Sequence, residues 1–225
     1  MVDNSNTPEG KSTEVTNPRT KVLLRPPTTL PNSPAYDVRQ SGLVSLYATN
    51  AEMAAMVFHT IPEGARPAIC SMSGDPTTAG GWFAKAANNV NLQCPSHHNN
   101  YLNSASFYPD KNGKIEAKRD AFAGYHALML DDAGTKVPMD RLEIIGQPHW
   151  KIETSPGNFQ VGYIFQEPIT DIREVDELLK VIAAAGFGDP GSLTATRWMR
   201  LPVAINGKAK HVGPSGAPFQ CRLVP

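Results

Sequence analysis

Apolar residues fall into helical and strand spacings only from about Ala35 onward, and those spacings lay out a short series of elements. Ala51 to His59 reads as a helix capped by Thr49 or Asn50 and stopped before Pro62. A glycine-rich stretch, Ser73 to Gly81, leads into Trp82-Phe83-Ala84-Lys85, whose pattern fits neither period. Asn100 to Tyr108 reads as a strand, and Pro109-Asp110-Lys111-Asn112-Gly113 after it is turn chemistry. His126-Ala127-Leu128-Met129-Leu130 is almost wholly apolar, the mark of a buried central strand. A hairpin follows, with arms His149 to Thr154 and Asn158 to Phe165. In its second arm Phe159, Val161, Tyr163 and Phe165 alternate with Gln160, Gly162 and Ile164. Between the arms, Ser155-Pro156-Gly157-Asn158 places Pro and Gly where a type II turn needs them.

The clearest helix comes next. Asp171 and Glu174 have capping-box spacing, Ile172, Val175, Leu178, Leu179 and Ile182 share one face, and Gly186 ends it. A last strand, about Trp198 to Leu201, precedes a Gly/Lys/Pro-rich exit. Strands interrupted by a single well-formed helix predict an α+β sheet with helices on one side.

Composition adjusts this picture at the N-terminus. Residues 1–34 carry Pro8, Pro18, Pro26, Pro27, Pro31 and Pro34 among Ser, Thr and Asn, with Val22-Leu23-Leu24 as their one apolar run. Such a segment buries too little to offset its ordering entropy, so it reads as a disordered tail or linker before a domain spanning 35–225. The 225 residues hold 21 Lys+Arg against 21 Asp+Glu, so any polyanion would be held by local charge rather than by a basic domain. Three cysteines make no disulfide framework, and no apolar run reaches membrane-spanning length. With no secretory leader pattern, a cytoplasmic protein is the expectation.

Four features carry candidate chemistry. Asp131-Asp132 end the apolar strand, and two adjacent carboxylates call for a cation or for solvent; a solvated turn is the plainer alternative. Ser155, Asn158 and Gln160 set a hydroxyl and two amides around the hairpin turn, which suits a phosphate or sugar but also suits an ordinary turn. Arg197, Arg200 and Lys208 form a basic cluster able to grip a triphosphate, or to serve as a solvated face. Asp189, in Gly188-Asp189-Pro190, is either a further acid or a turn initiator. Cys94, His97 and His98 make half of a zinc-like set without a second half. A phosphate-binding G-x-x-x-x-G-K-[ST] loop, a G-x-S-x-G elbow and a His-hydrophobic-His pair are all missing from the sequence.

Taken in order, Leu-Asp-Asp-Ala-Gly-Thr-Lys, Ile-Glu-Thr-Ser-Pro-Gly-Asn-Phe-Gln, Gly-Asp-Pro and Arg-Leu-Pro with Asn-Gly-Lys resemble the archaeo-eukaryotic primase superfamily. The branch they resemble is the RepB-like primases of plasmids and phages, over roughly Tyr101 to Leu223. The resemblance implies an RRM-like antiparallel or mixed sheet core of primase-polymerase type with an additional N-terminal α/β unit. It implies two divalent ions, Mg²⁺ or Mn²⁺, on Asp131, Asp132 and Asp189. Ser155 and Gln160 then match the nucleotide-contacting motif, and Arg200 and Lys208 the basic positions near the triphosphate. Many superfamily members separate the first two acids by one residue, use His at the position of Gln160, and have Gly where Val203 follows Arg-Leu-Pro.

The implied activity is primer synthesis on a single-stranded DNA template from nucleoside triphosphates, in plasmid or phage replication in a bacterial cytoplasm. Such cores usually continue into a helical domain or a helicase, so a truncated core is the expectation. Two alternatives compete: an RRM-like nucleic-acid-binding module without catalysis, and a metal-dependent nuclease or replication initiator. The last wants a nucleophile near the acids, for which His126 is the candidate.

Overall fold

Thr49 opens the first helix, α1 (Asn50–Val57), with a capping box. Its hydroxyl accepts from the Glu52 N–H at 3.2 Å, and its own N–H donates to the Glu52 carboxylate at 3.0 Å. The computed structural model describes residues 49–188, 191 and 193–225. The tail expected over 1–34, the domain start expected at Ala35, and Asp189 lie outside the described residues.

After α1 come β1 (Arg66–Met72), β2 (Lys85–Ala86), the single turn α2 (Val90–Gln93), β3 (Asn99–Phe107) and β4 (Phe122–Ala133). They are followed by β5 (Trp150–Ser155), β6 (Asn158–Ile169), α3 (Ile172–Ala184) and β7 (Trp198–Arg200). Three short strands close the chain: β8 (Ile205–Asn206), β9 (Phe219–Gln220) and β10 (Arg222–Leu223). The main sheet has the order β10-β5-β6-β4-β3-β1-β2, with β7 also paired to β3 and every pairing antiparallel. This is the α+β class. The front segment joins the same sheet through β1, β2 and β3.

Alternation along β4 decides how the layers stack. Ala127 and Met129 pack with Met53 and Val57 of α1, whereas Leu128 and Leu130 pack with Val175 and Leu179 of α3. Helices therefore cover both faces of the sheet, not one side as the element order suggested. The cause is β4 itself, which is apolar on both faces and must be buried on both.

The helix termini are chemically explicit. Asp171 caps α3 by accepting from the Arg173 N–H at 2.9 Å and pairs with the same residue's guanidinium, in place of the reciprocal box its spacing with Glu174 suggested. At the other end the Gly186 N–H donates to Ala183 O and the Phe187 N–H to Ile182 O, a Schellman closure with Gly186 at φ 75°.

Within the hairpin, Trp150 pairs with Gly162. A Cβ on Gly162 would lie 1.8 Å from the indole, so this strand glycine exists to let the ring lie flat across it.

One irregularity positions the site. Along one edge β3 pairs with β1 over its length; along the other it pairs with β4 only through Ala105–Phe107 and with β7 through Tyr101–Asn103. The sheet forks there, and β7 fills the gap left as β4 diverges.

Candidate active site

A cleft of about 1030 Å³ opens at this fork. Its lining includes Asp131 and Asp132 from β4, Ser155, Asn158 and Gln160 from the hairpin, Arg197 and Arg200 around β7, and Lys208 beyond β8. Asp189, the third acid expected from sequence, lies outside the described residues.

Adjacent residues on a regular strand point to opposite faces, so two neighbouring acids should not share a cleft. Here the β4–β6 register breaks: Leu130 pairs with Val161 but Ala133 with Phe159, which puts one extra residue on β4. Asp132 takes up the excess with φ 59°. This bulge brings both carboxylates to the same space, as separation by one residue would on a regular strand. Gly134 completes the turn; a Cβ there would sit 2.8 Å from the Gly157 carbonyl, so the acid loop lies directly on the hairpin turn.

Each carboxylate already has a cation. Asp131 Oδ2 lies 3.3 Å from Arg197 Nη2, and Asp132 Oδ2 lies 2.6 Å from Lys136 Nζ. Both acids are partly open to solvent and supply hard oxygen donors, which fits a divalent ion of the Mg²⁺ type. Among the described residues no group of three or more His, Cys, Asp or Glu side chains is placed to hold a metal.

The hairpin side of the cleft is held rigid. Gly157 takes φ 69° at the turn, its N–H donates to Glu153 at 3.1 Å, and Glu153 also pairs with Arg222 of β10. The Gly157 N–H and then Arg222 keep the Glu153 carboxyl below the usual range. Asn158 accepts from the Thr135 hydroxyl at 2.6 Å and donates to the Thr154 hydroxyl at 3.2 Å, tying the turn to the acid loop. Gln160 Oε1 accepts from the Arg200 N–H at 2.8 Å, which fixes β7 against β6.

Arg200 is almost fully buried. Its guanidinium donates to Ile205 O at 2.7 Å, Asn206 Oδ1 at 2.9 Å and Asn99 Oδ1 at 3.3 Å, and lies 4.8 Å above the Tyr101 ring. Asn206 in turn donates to Thr154 O at 2.6 Å, and the Gly207 N–H donates to Asn99 Oδ1 at 2.8 Å. The Asn-Gly-Lys loop is thereby clamped with Lys208 in the cleft. Burial lowers the Lys208 pKa, and the neighbouring Arg200, Lys210 and Arg197 add to the effect while Asp131 opposes it. The same crowding acts on His211, lowered by burial and then by Lys210, Lys208 and Arg200. The Arg197 Nε–H is buried without a partner among the described residues. Cations held this close favour a polyanion between them.

Sequence reasoning missed part of this lining: Thr135 and Lys136 after the acids, Lys210 and His211 after the Asn-Gly-Lys loop, and Trp82 with its glycine-rich segment. The basic run Lys208-Ala209-Lys210-His211 was the available signal for two of them. His126 is not in the cleft lining: Nε2 bonds the Ser106 hydroxyl at 2.9 Å, the ring packs on Phe58, and burial, with His59, pushes its pKa down to about 4. A nuclease reading that depends on it as nucleophile loses its support.

A sequence profile described as the RepB DNA-primase N-terminal domain matches residues 108–225, just over half of the chain. No curated protein matches it. Among solved structures, the chain is similar to the archaeo-eukaryotic primase domain of the cyanophage S-2L primase-polymerase. That match has TM-score 0.52 and 15% identity, covering 77% of this chain and 86% of the other. It is also similar to primase RepB′ (TM-score 0.49, 17% identity, 72% of this chain and 52% of that one). The catalytic domain of RepB′ in complex with initiator DNA matches with TM-score 0.46 and 19% identity, over 72% of this chain and 76% of that one. Like the chain described here, the cyanophage domain carries the α+β fold, and at this identity the likeness speaks to fold.

Proposed function

The chain belongs to the RepB DNA-primase N-terminal domain family, and from that premise we propose that it is a primase or primase-polymerase core. Its reaction is nucleotidyl transfer from nucleoside triphosphates on a single-stranded DNA template, and its setting is plasmid or phage replication in the cytoplasm of a bacterial host. The observation that carries the reading is one cleft holding two carboxylates opposite clustered cations.

Asp131 and Asp132 are the residues that would hold divalent ions, two Mg²⁺ or Mn²⁺, with Asp189 proposed as the third acid. Such ions, when bound, activate an attacking 3′-hydroxyl and stabilise the departing pyrophosphate. The chain's own groups do the rest. Lys208 and Arg197 take the triphosphate oxygens, Lys208 as a point charge and Arg197 through paired N–H groups. Arg200 acts through its buried bonds to Asn99, Ile205 and Asn206, which set where Lys208 stands. Ser155 and Asn158 face the sugar and phosphate, while Gln160 holds β7 in register. Because net charge is zero, template phosphates are neutralised only by local charge, few at once, and template binding is weak.

The test is incubation of the full chain with a single-stranded template, labelled nucleoside triphosphates and Mg²⁺ or Mn²⁺. New or extended strands are the expected product. Template cleavage would favour a nuclease, and binding without product would favour a non-catalytic module.

A further inference from the structure

Trp82 and Trp198 are features of this cleft that the transfer chemistry leaves without a role. Trp82 follows Gly80-Gly81 between β1 and β2, and with Pro76, Thr77 and Ala79 it builds one rim of the cleft. That segment is tethered: Asn99 Nδ2 donates to Gly74 O at 2.7 Å, and Asp75 Oδ2 accepts from the Ala209 N–H at 2.9 Å. The Trp82 ring packs on Tyr101 with centroids 4.4 Å apart and lies 27° from parallel to Trp198 at 6.2 Å. Tyr101 carries the Arg200 guanidinium over its ring, so the platform is backed by the buried network that positions Lys208. Despite these contacts Trp82 stays 45% exposed.

An indole fixed at the rim of a polar cleft, beside clustered cations, has the chemistry of a stacking surface. Its π-face takes a base while the cations take phosphates. We propose that Trp82, supported by Tyr101 and flanked by Trp198, is the nucleobase-stacking surface of this cleft. The proposal rests on the nucleotide reading above and adds the residue that receives the base. Every base has a π-face, so this surface confers little preference among the four. The base belongs either to the incoming nucleotide or to the template strand, and the two sources separate experimentally.

Calorimetric binding to the full chain is measured with three probes: a non-hydrolysable nucleoside triphosphate, inorganic tripolyphosphate and a short oligothymidylate. Trp82→Ala is expected to weaken at least one base-bearing probe by roughly five- to a hundredfold and to leave tripolyphosphate unchanged. Trp82→Phe, which keeps a ring, retains most of the affinity. Loss confined to the nucleotide assigns the incoming base, and loss confined to the oligothymidylate assigns the template. Unchanged binding of both base-bearing probes overturns the proposal. So does an equal loss for tripolyphosphate, which would make Trp82 a support of the cleft wall. If the parent protein binds no tripolyphosphate, the cation cluster is not a triphosphate site, and the oligothymidylate measurement alone decides Trp82.

Discussion

Gly207→Ala tests how the cleft is held in shape. A Cβ at this position would lie 2.3 Å from the Gly74 carbonyl oxygen and 2.8 Å from Asn99 Nδ2. Ordinary contact begins near 3.4 Å, so the two backbone segments must part by about 1 Å. The nearest obstacle is a backbone atom, which no rotamer change removes. Parting them strains the Gly207 N–H bond to Asn99 and the Asn99 bond to Gly74, now 2.8 and 2.7 Å. Two bonds at about 1 kcal/mol each put the stability loss near 2 kcal/mol.

The functional consequence is larger, because Lys208 is the next residue. A displacement of about 1 Å in a positioned group costs up to roughly a hundredfold in rate. The assay is nucleotide incorporation titrated in triphosphate, beside urea unfolding and single-strand affinity. KM for the triphosphate should rise at least tenfold while strand affinity changes little. Gly213→Ala is the control, since its Cβ would meet nothing closer than 3.6 Å. A Gly207→Ala protein with unaltered KM and stability would refute the reasoning.

Three further outcomes are expected. His126 has a pKa near 4 in the fold against an ordinary 6.5, so the unfolded chain takes up the proton first as pH falls. Its contribution, about 3 kcal/mol, is full above pH 6.5 and lost progressively down to pH 4; urea unfolding at pH 7 and 4.5 should show a smaller acid loss in His126→Asn than in the parent. Gly162→Ala drives a methyl into the Trp150 ring and should cost about 1–3 kcal/mol in chemical denaturation, and an unchanged midpoint would contradict the packing described. Asp189→Asn should lower incorporation by orders of magnitude without loss of melting temperature; an active, stable variant would remove it from the proposed metal set.

The hairpin, the long helix and the central strand were legible because each has a strong local signal. Phe159 to Phe165 alternate, Asp171 and Gly186 bracket one apolar face, and Ala127 to Leu130 are apolar throughout. Of the motif residues, Asp131, Asp132, Ser155, Asn158, Gln160, Arg197, Arg200 and Lys208 line one cleft, and Asp189 lies outside the described residues. What stayed hidden depends on contacts between distant segments. The placement of helices on both sides of the sheet follows from the opposed faces of β4, which element order does not encode. The sharing of a cleft by adjacent acids depends on a bulge whose extra residue is visible only against β6. The rim carrying Trp82 is set by Gly74 and Asp75 meeting Asn99 and Ala209, and no local period announces such a pairing. Arg200 reads as a surface cation in the sequence, yet it is buried because Asn99, Ile205 and Asn206 supply acceptors around it.

The role proposed for Asp131 and Asp132 lies in catalysis rather than in folding. The most direct measurement is template-dependent incorporation by Asp131→Asn and Asp132→Asn proteins with Mg²⁺ and with Mn²⁺, each checked for melting temperature. Both acids are partly exposed at a strand end, where losing one charge leaves the core untouched. Loss of incorporation by at least a thousandfold with an unchanged melting temperature is the predicted result. Incorporation near the parent level in either variant would contradict the account.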